Sequence, residues 1–144
     1  MKASADQPKI VVGVLILNDK GEILLTTARK WGGLWTCQGG HLELNETLED
    51  AVRRETKEET NLDIEDIELV CVQDAISPEH YHRKSHMVFL DYSCRTRNPE
   101  QIKLNHELLE FRWAKPRDAL EMNLNASTRK FIKELIKKGM AKDS

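Results

Sequence analysis

The sequence predicts an α/β sandwich. β-prone runs recur along the chain, one helical pattern interrupts them early, and a second helical pattern closes it. The 144 residues suffice for one domain with a real core. No repeat, linker or low-complexity tract divides them. One domain over residues 1–144 is expected, with polar residues 1–8 as a loose lead.

Taken in order, residues 10–17 (IVVGVLIL) form a run of strand formers long enough for a central strand. Asn18-Asp19-Lys20-Gly21 is a turn cluster, and residues 22–27 read as the second strand of a hairpin. Arg29 and Lys30 open a loop, Trp31-Gly32-Gly33-Leu34-Trp35, that runs to Gly39-Gly40. His41 to Glu43 alternates like a short strand. A helix is expected from about Thr47 to Thr60. Residues 63–67 read as a turn and 68–76 as a strand. Residues 77–84 form a polar loop, a candidate substrate rim. Residues 85–97 read as a long strand broken by Asn98-Pro99, and 111–114 as the last strand. Residues 125–138 form the closing helix, with Asn125 or Ser127 as cap, Gly139 as stop, and Phe131, Ile132 and Leu135 facing inward.

The first helix carries the chemistry. Leu48, Ala51 and Val52 recur at helical spacing and mark its buried stripe. At about 100° per residue, Glu55 falls within about 20° of Leu48, and Glu59 within about 40° of Glu55. The stripe therefore ends in three acids, Glu55, Glu58 and Glu59. Like charges at this spacing repel, and carboxylates beside apolar surface are poorly solvated. A hard divalent cation would relieve both problems. A charged, solvated helix is the plain alternative, and Asp50, Arg53 and Lys57 fit such a face. Ahead of the helix, Gly39-Gly40 permits close backbone approach, and Glu46 stands near the positive end of the helix dipole. Asn61 follows the last turn, where a left-handed residue is favoured.

As a whole, the segment GGHLELNETLEDAVRRETKEETNL resembles the Nudix box, G-x5-E-x7-R-E-U-x-E-E-x-G-U with U aliphatic. Gly40, Glu46, Arg54, Glu55, Glu58, Glu59 and Leu62 match it. Thr56 stands where an aliphatic residue is usual, which implies slightly poorer packing. Asn61 stands where Gly is usual. The residue before Gly-Gly is Gln38, where the family commonly has Pro.

The resemblance implies the Nudix architecture, an α/β/α sandwich with a mixed sheet. It also implies hydrolysis of a nucleoside diphosphate linked to a further group. Glu55, Glu58 and Glu59 would hold Mg²⁺, with Mn²⁺ as a substitute and the Gly39 carbonyl as a further ligand. Arg54 would orient the glutamates through Glu46, and Glu58 would act as base. Glu107, with Glu110 as runner-up, would be the additional acid of the family. Arg29 and Gly40 would meet substrate, and Trp31 or Trp35 would stack on a base, with Trp35 assigned to the site. The short chain and GGHLE resemble members that cleave a nucleoside triphosphate to a monophosphate and pyrophosphate. ADP-ribose, another sugar nucleotide, or nucleotide sensing without hydrolysis are the alternatives.

Composition bounds the partners. A net charge of −2 gives no general attraction to nucleic acid. The apolar run at 10–17 is too short to span a membrane, and the N-terminus lacks the apolar stretch of a signal peptide. Three scattered cysteines form no CxxC pair and fit a reducing compartment. A cytoplasmic enzyme on a small-molecule nucleotide is expected, and a homodimer is compatible with the sequence. His82 and His86, four apart with no thiol beside them, do not make a zinc site.

Overall fold

A computed structural model describes residues 7–139; residues 1–6, most of the expected loose lead, lie outside them. Lys9–Leu17 forms β1, Ile23–Thr27 β2, Trp35–Thr36 β3, Gln38–His41 β4, Glu65–Ile76 β5, His86–Arg95 β6 and Glu110–Ala114 β7. The α-helices are α1 (Leu48–Thr60), α2 (Pro116–Ala119) and α3 (Ala126–Lys137).

All seven strands join one mixed sheet in the order β3-β2-β1-β6-β5, with β4 beside β1 and β7 beside β2. β1 is the centre, as its unbroken apolar run requires. One edge pairs in parallel with β6 along the whole strand. The other edge takes β4 beside Val11–Val14 and β2 near Leu17, both antiparallel. Alternate residues of β1 feed two cores. Val12, Val14 and Ile16 pack with Ala51 and Val52 of α1, while Leu15 and Leu17 pack with Phe131, Ile132 and Leu135 of α3.

The expected fold class is the observed one. Two local readings differ. Residues 63–67 were expected as a turn, yet β5 starts at Glu65, with a register shift between Glu65 and Glu68 and Asp66 in left-handed backbone (φ 54°). A bulge of this kind leaves a turn-like sequence inside a strand. The expected strand at 41–43 lies earlier, as β4, because Gly39 and Gly40 pair with Gly13 and Val12.

Candidate active site

Helix α1 is fixed at both ends by its own sequence. Thr47 Oγ1 accepts the Asp50 N–H at 3.1 Å. Asn61 takes the left-handed cap at φ 66°, and its N–H donates to the Lys57 carbonyl. Thr56 is fully buried, and its hydroxyl has no hydrogen-bond partner.

The last two turns present the acids around Arg54. Its Nε and Nη2 donate to the two oxygens of Glu46 at 2.6 and 3.0 Å. Nη2 also donates to the His41 carbonyl at 3.0 Å. Nη1 donates to Glu55 Oε1 at 2.8 Å and to Glu58 Oε2 at 3.4 Å. The bidentate hold on Glu46 locks the guanidinium plane, so Arg54 fixes Glu55 and Glu58 with the nitrogen left over. The same bond holds Glu46 below the usual carboxylate range and raises Arg54 above its ordinary value. Burial pushes Glu55 up despite Arg54.

Glu59 is seated differently. It is 2% exposed, and its Oε1 accepts the Gly39 N–H at 3.0 Å. Burial raises it to about 8, against the pull of that bond. Two glycines allow these seats. A Cβ on Gly40 would stand 2.3 Å from the Glu55 carboxylate, and one on Gly39 2.0 Å from the Val12 carbonyl oxygen.

Among the described residues, no three His, Cys, Asp or Glu side chains already form a coordination shell. Arg54 stands among Glu46, Glu55 and Glu58 instead. The donor chemistry nevertheless suits a hard divalent ion. Three carboxylates share one helix end, and Glu59 Oε2 takes no bond from any described residue.

Beside Glu59 a cavity of about 70 Å³ opens in the α3 face of the sheet. Gly39, Gly40 and Glu59 line it toward the acids, with Lys30 and His41 close by. Trp31, Tyr81, Met87 and Phe89 give it an apolar wall. The Trp31 and Tyr81 rings lie 4.6 Å apart at 49°. The His82 N–H donates to the Lys30 carbonyl at 2.8 Å and ties the 77–84 loop to this wall. Asp91, Cys37 and Thr128 complete the lining.

The structure brings together Gly39, Gly40, Glu46, Arg54, Glu55, Glu58 and Glu59. Glu107 is exposed, and its charge adds a little to the rise of Glu55 and Glu59. Backbone bonds from Lys103 to Thr60 and from Asn105 to Glu59 hold its loop against α1. Glu110 lies on β7, opposite Thr27. Arg29 is exposed and does not line the cavity; its neighbour Lys30 does. Trp35 packs in the α3 core, with the Arg112 guanidinium 6.0 Å from its ring centre. Trp31 is the tryptophan on the cavity wall. The sequence reading did not single out Lys30, Phe89, Tyr81 or Asp91. A charged residue inside an apolar strand (VFLDYSC) was the available signal for Asp91.

The NUDIX domain family model matches residues 7–135. The chain belongs to the Nudix family. A curated relative, the nucleoside triphosphatase NudI of Escherichia coli, is 32% identical over 134 residues, covering 87% of this chain and 94% of its own. The crystal structure of a MutT NUDIX hydrolase from Burkholderia pseudomallei superposes with a TM-score of 0.77 at 27% identity, over 90% of this chain and 99% of that one. The NUDIX domain of Shewanella oneidensis NrtR, solved with ADP ribose, gives a TM-score of 0.76 at 20% identity over 92% and 89% of the two chains, a likeness of fold. The chain is a Nudix hydrolase, an enzyme of phosphorus-containing anhydrides. No helix among the described residues is long and apolar enough to cross a membrane.

Proposed function

We infer that this Nudix hydrolase cleaves nucleoside triphosphates with water, giving a nucleoside monophosphate and pyrophosphate. The observation that carries the reading is the join between two features. The acidic end of α1 meets, through Glu59 and Gly39, an apolar cavity with aromatic walls. The aromatic wall suits a nucleoside base, and the phosphates of a nucleotide bound there would reach the acids. The similarity to nucleoside triphosphatases supports the triphosphate over a sugar nucleotide.

Glu55, Glu58, Glu59 and the Gly39 carbonyl would hold Mg²⁺, or Mn²⁺ in its place, with Glu107 as a further acid. When bound, the ion would cancel charge on the polyphosphate and make water more acidic. The chain's own groups do the rest. Arg54, anchored on Glu46, sets the angles of Glu55 and Glu58. Glu58 is 56% exposed, so it is open to water and suits the role of proton acceptor. Lys30 faces the mouth as a point charge for phosphate oxygens.

The test is chromatographic detection of the phosphate-bearing products formed from a panel of nucleoside triphosphates, dinucleotides and ADP-ribose, each with Mg²⁺ and Mn²⁺. Triphosphates are expected to turn over fastest. Glu58→Gln and Glu59→Gln should each lower kcat by more than about tenfold with the far-UV circular dichroism unchanged. Turnover of ADP-ribose alone, or nucleotide binding without hydrolysis, would replace this reading.

A further inference from the structure

Across the floor of the cavity three positions stand in register. Asp91 of β6 pairs with Gly13 of β1, and Gly13 pairs with Gly39 of β4. Gly39 in turn meets Glu59 at 3.0 Å. The row spans two strand spacings, roughly 10 Å. That is about the reach of one nucleoside from its base edge to its first phosphate. A buried carboxylate thus marks each end, Glu59 beside the catalytic acids and Asp91 beneath the aromatic wall.

Asp91 is buried and held through one of its two oxygens. It is 2% exposed, with no cation against it among the described residues. Its Oδ2 accepts from Gln73 Nε2 at 2.8 Å and from the Cys71 thiol at 3.5 Å. Gln73 Nε2 is itself anchored on the Ser127 carbonyl at 2.9 Å. The other oxygen, Oδ1, takes no bond from any described residue and lies over Gly13. A Cβ there would stand 2.2 Å from it. Glycine in the middle of a central strand weakens the strand and marks a close approach, here of a carboxylate rather than a backbone.

Building on the nucleoside triphosphate reading, we propose that Asp91 reads the base, and that it selects guanine. A carboxylate oxygen accepts and cannot donate, so it favours an edge on which donors stand side by side. Guanine offers its ring N1–H next to its exocyclic amino group. Adenine and cytosine place an acceptor ring nitrogen beside the amino group. Uracil and thymine flank their one N–H with two carbonyls, which the carboxylate repels. The stacking wall of Trp31, Tyr81 and Phe89 holds any base; Asp91 decides among them.

The discriminating comparison is GTP against ITP, which differ only by the 2-amino group. The wild-type enzyme should favour GTP in kcat/KM by roughly tenfold to a hundredfold, the range for one charge-assisted hydrogen bond. Asp91→Asn, nearly the same shape, should lose most of this preference mainly through GTP. Its activity on ITP should fall much less, a pattern that general loss of structure does not produce. Product binding by the wild type gives an independent reading without any variant: GMP should bind tighter than IMP by a similar factor in calorimetry. Equal handling of GTP and ITP, equal binding of GMP and IMP, or an unchanged ratio in Asp91→Asn overturns the base assignment alone. Absence of turnover with every triphosphate overturns both this assignment and the reading beneath it.

Discussion

At the scale of a residue, the most informative group is one that the fold would do better without. Asp91 lies buried against Gln73 and Cys71, and burial pushes it up to about 6 from an ordinary 3.8. Burial and the Asp91 charge push the neighbouring thiols Cys37 and Cys71 each up to about 12, so both stay neutral beside it. The folded chain therefore holds the Asp91 proton more tightly than the unfolded chain does. Its contribution to stability is fully present below about pH 4 and is lost as pH rises through about 6. Asn at this position does not titrate. Asp91→Asn should unfold at the same temperature as wild type near pH 4 and at a higher temperature at pH 7. The expected gap at neutral pH is on the order of 2–3 kcal/mol. Melting curves across this pH range check it, and a gap that does not grow with pH would show that the carboxylate is not strained by its site. A residue that lowers stability at working pH while facing a cavity is the pattern expected of function.

At the scale of an element, helix α1 was legible and the sheet around it was not. The acids interrupt a 3.6-residue stripe, the Thr47 cap and Asn61 stop bracket it, and each of these signals is local in sequence. The glutamates and Arg54 could be placed together because they share one helix. The row from Asp91 through Gly13 to Gly39 could not, since it depends on the parallel register of β1 with β6 and the antiparallel register of β1 with β4. Apolar runs buried on both faces carry no period that fixes register. The choice of Arg29 and Trp35 over Lys30 and Trp31 has the same origin. A glycine-rich loop (Trp31-Gly32-Gly33-Leu34-Trp35) gives no rule for which neighbour turns inward. One departure from the box, Thr56, carries a cost of a different kind from the poorer packing expected of it. Thr56 is fully buried, and its hydroxyl has no hydrogen-bond partner. Thr56→Val removes that group, so a gain of about 1 kcal/mol is expected. Urea unfolding should show a higher midpoint at unchanged slope, with turnover unaffected. A lower midpoint would mean that the hydroxyl has a partner in solution.

At the scale of the whole molecule, both cores are built on one strand. β1 sends Val12, Val14 and Ile16 toward α1, and Leu15 and Leu17 toward α3. The acids of α1 stand at the end of the first layer, and the cavity opens into the second. Both layers pack on this one strand, so they should unfold in one step. Phe131 and Val52, both fully buried, report on opposite faces. Phe131→Ala should cost about 3–5 kcal/mol and Val52→Ala about 1–3 kcal/mol from lost burial and residual cavity. With the sheet between them the two sites share no partner, so the double variant should lose the sum to within about 0.5 kcal/mol. Circular dichroism and tryptophan fluorescence should trace the same urea transition for every variant. Separated transitions, or a double variant much less destabilised than the sum, would mean that the α3 layer opens alone. That result would also make the base cavity a mobile region rather than a preformed one, and would move base selection from geometry to closure.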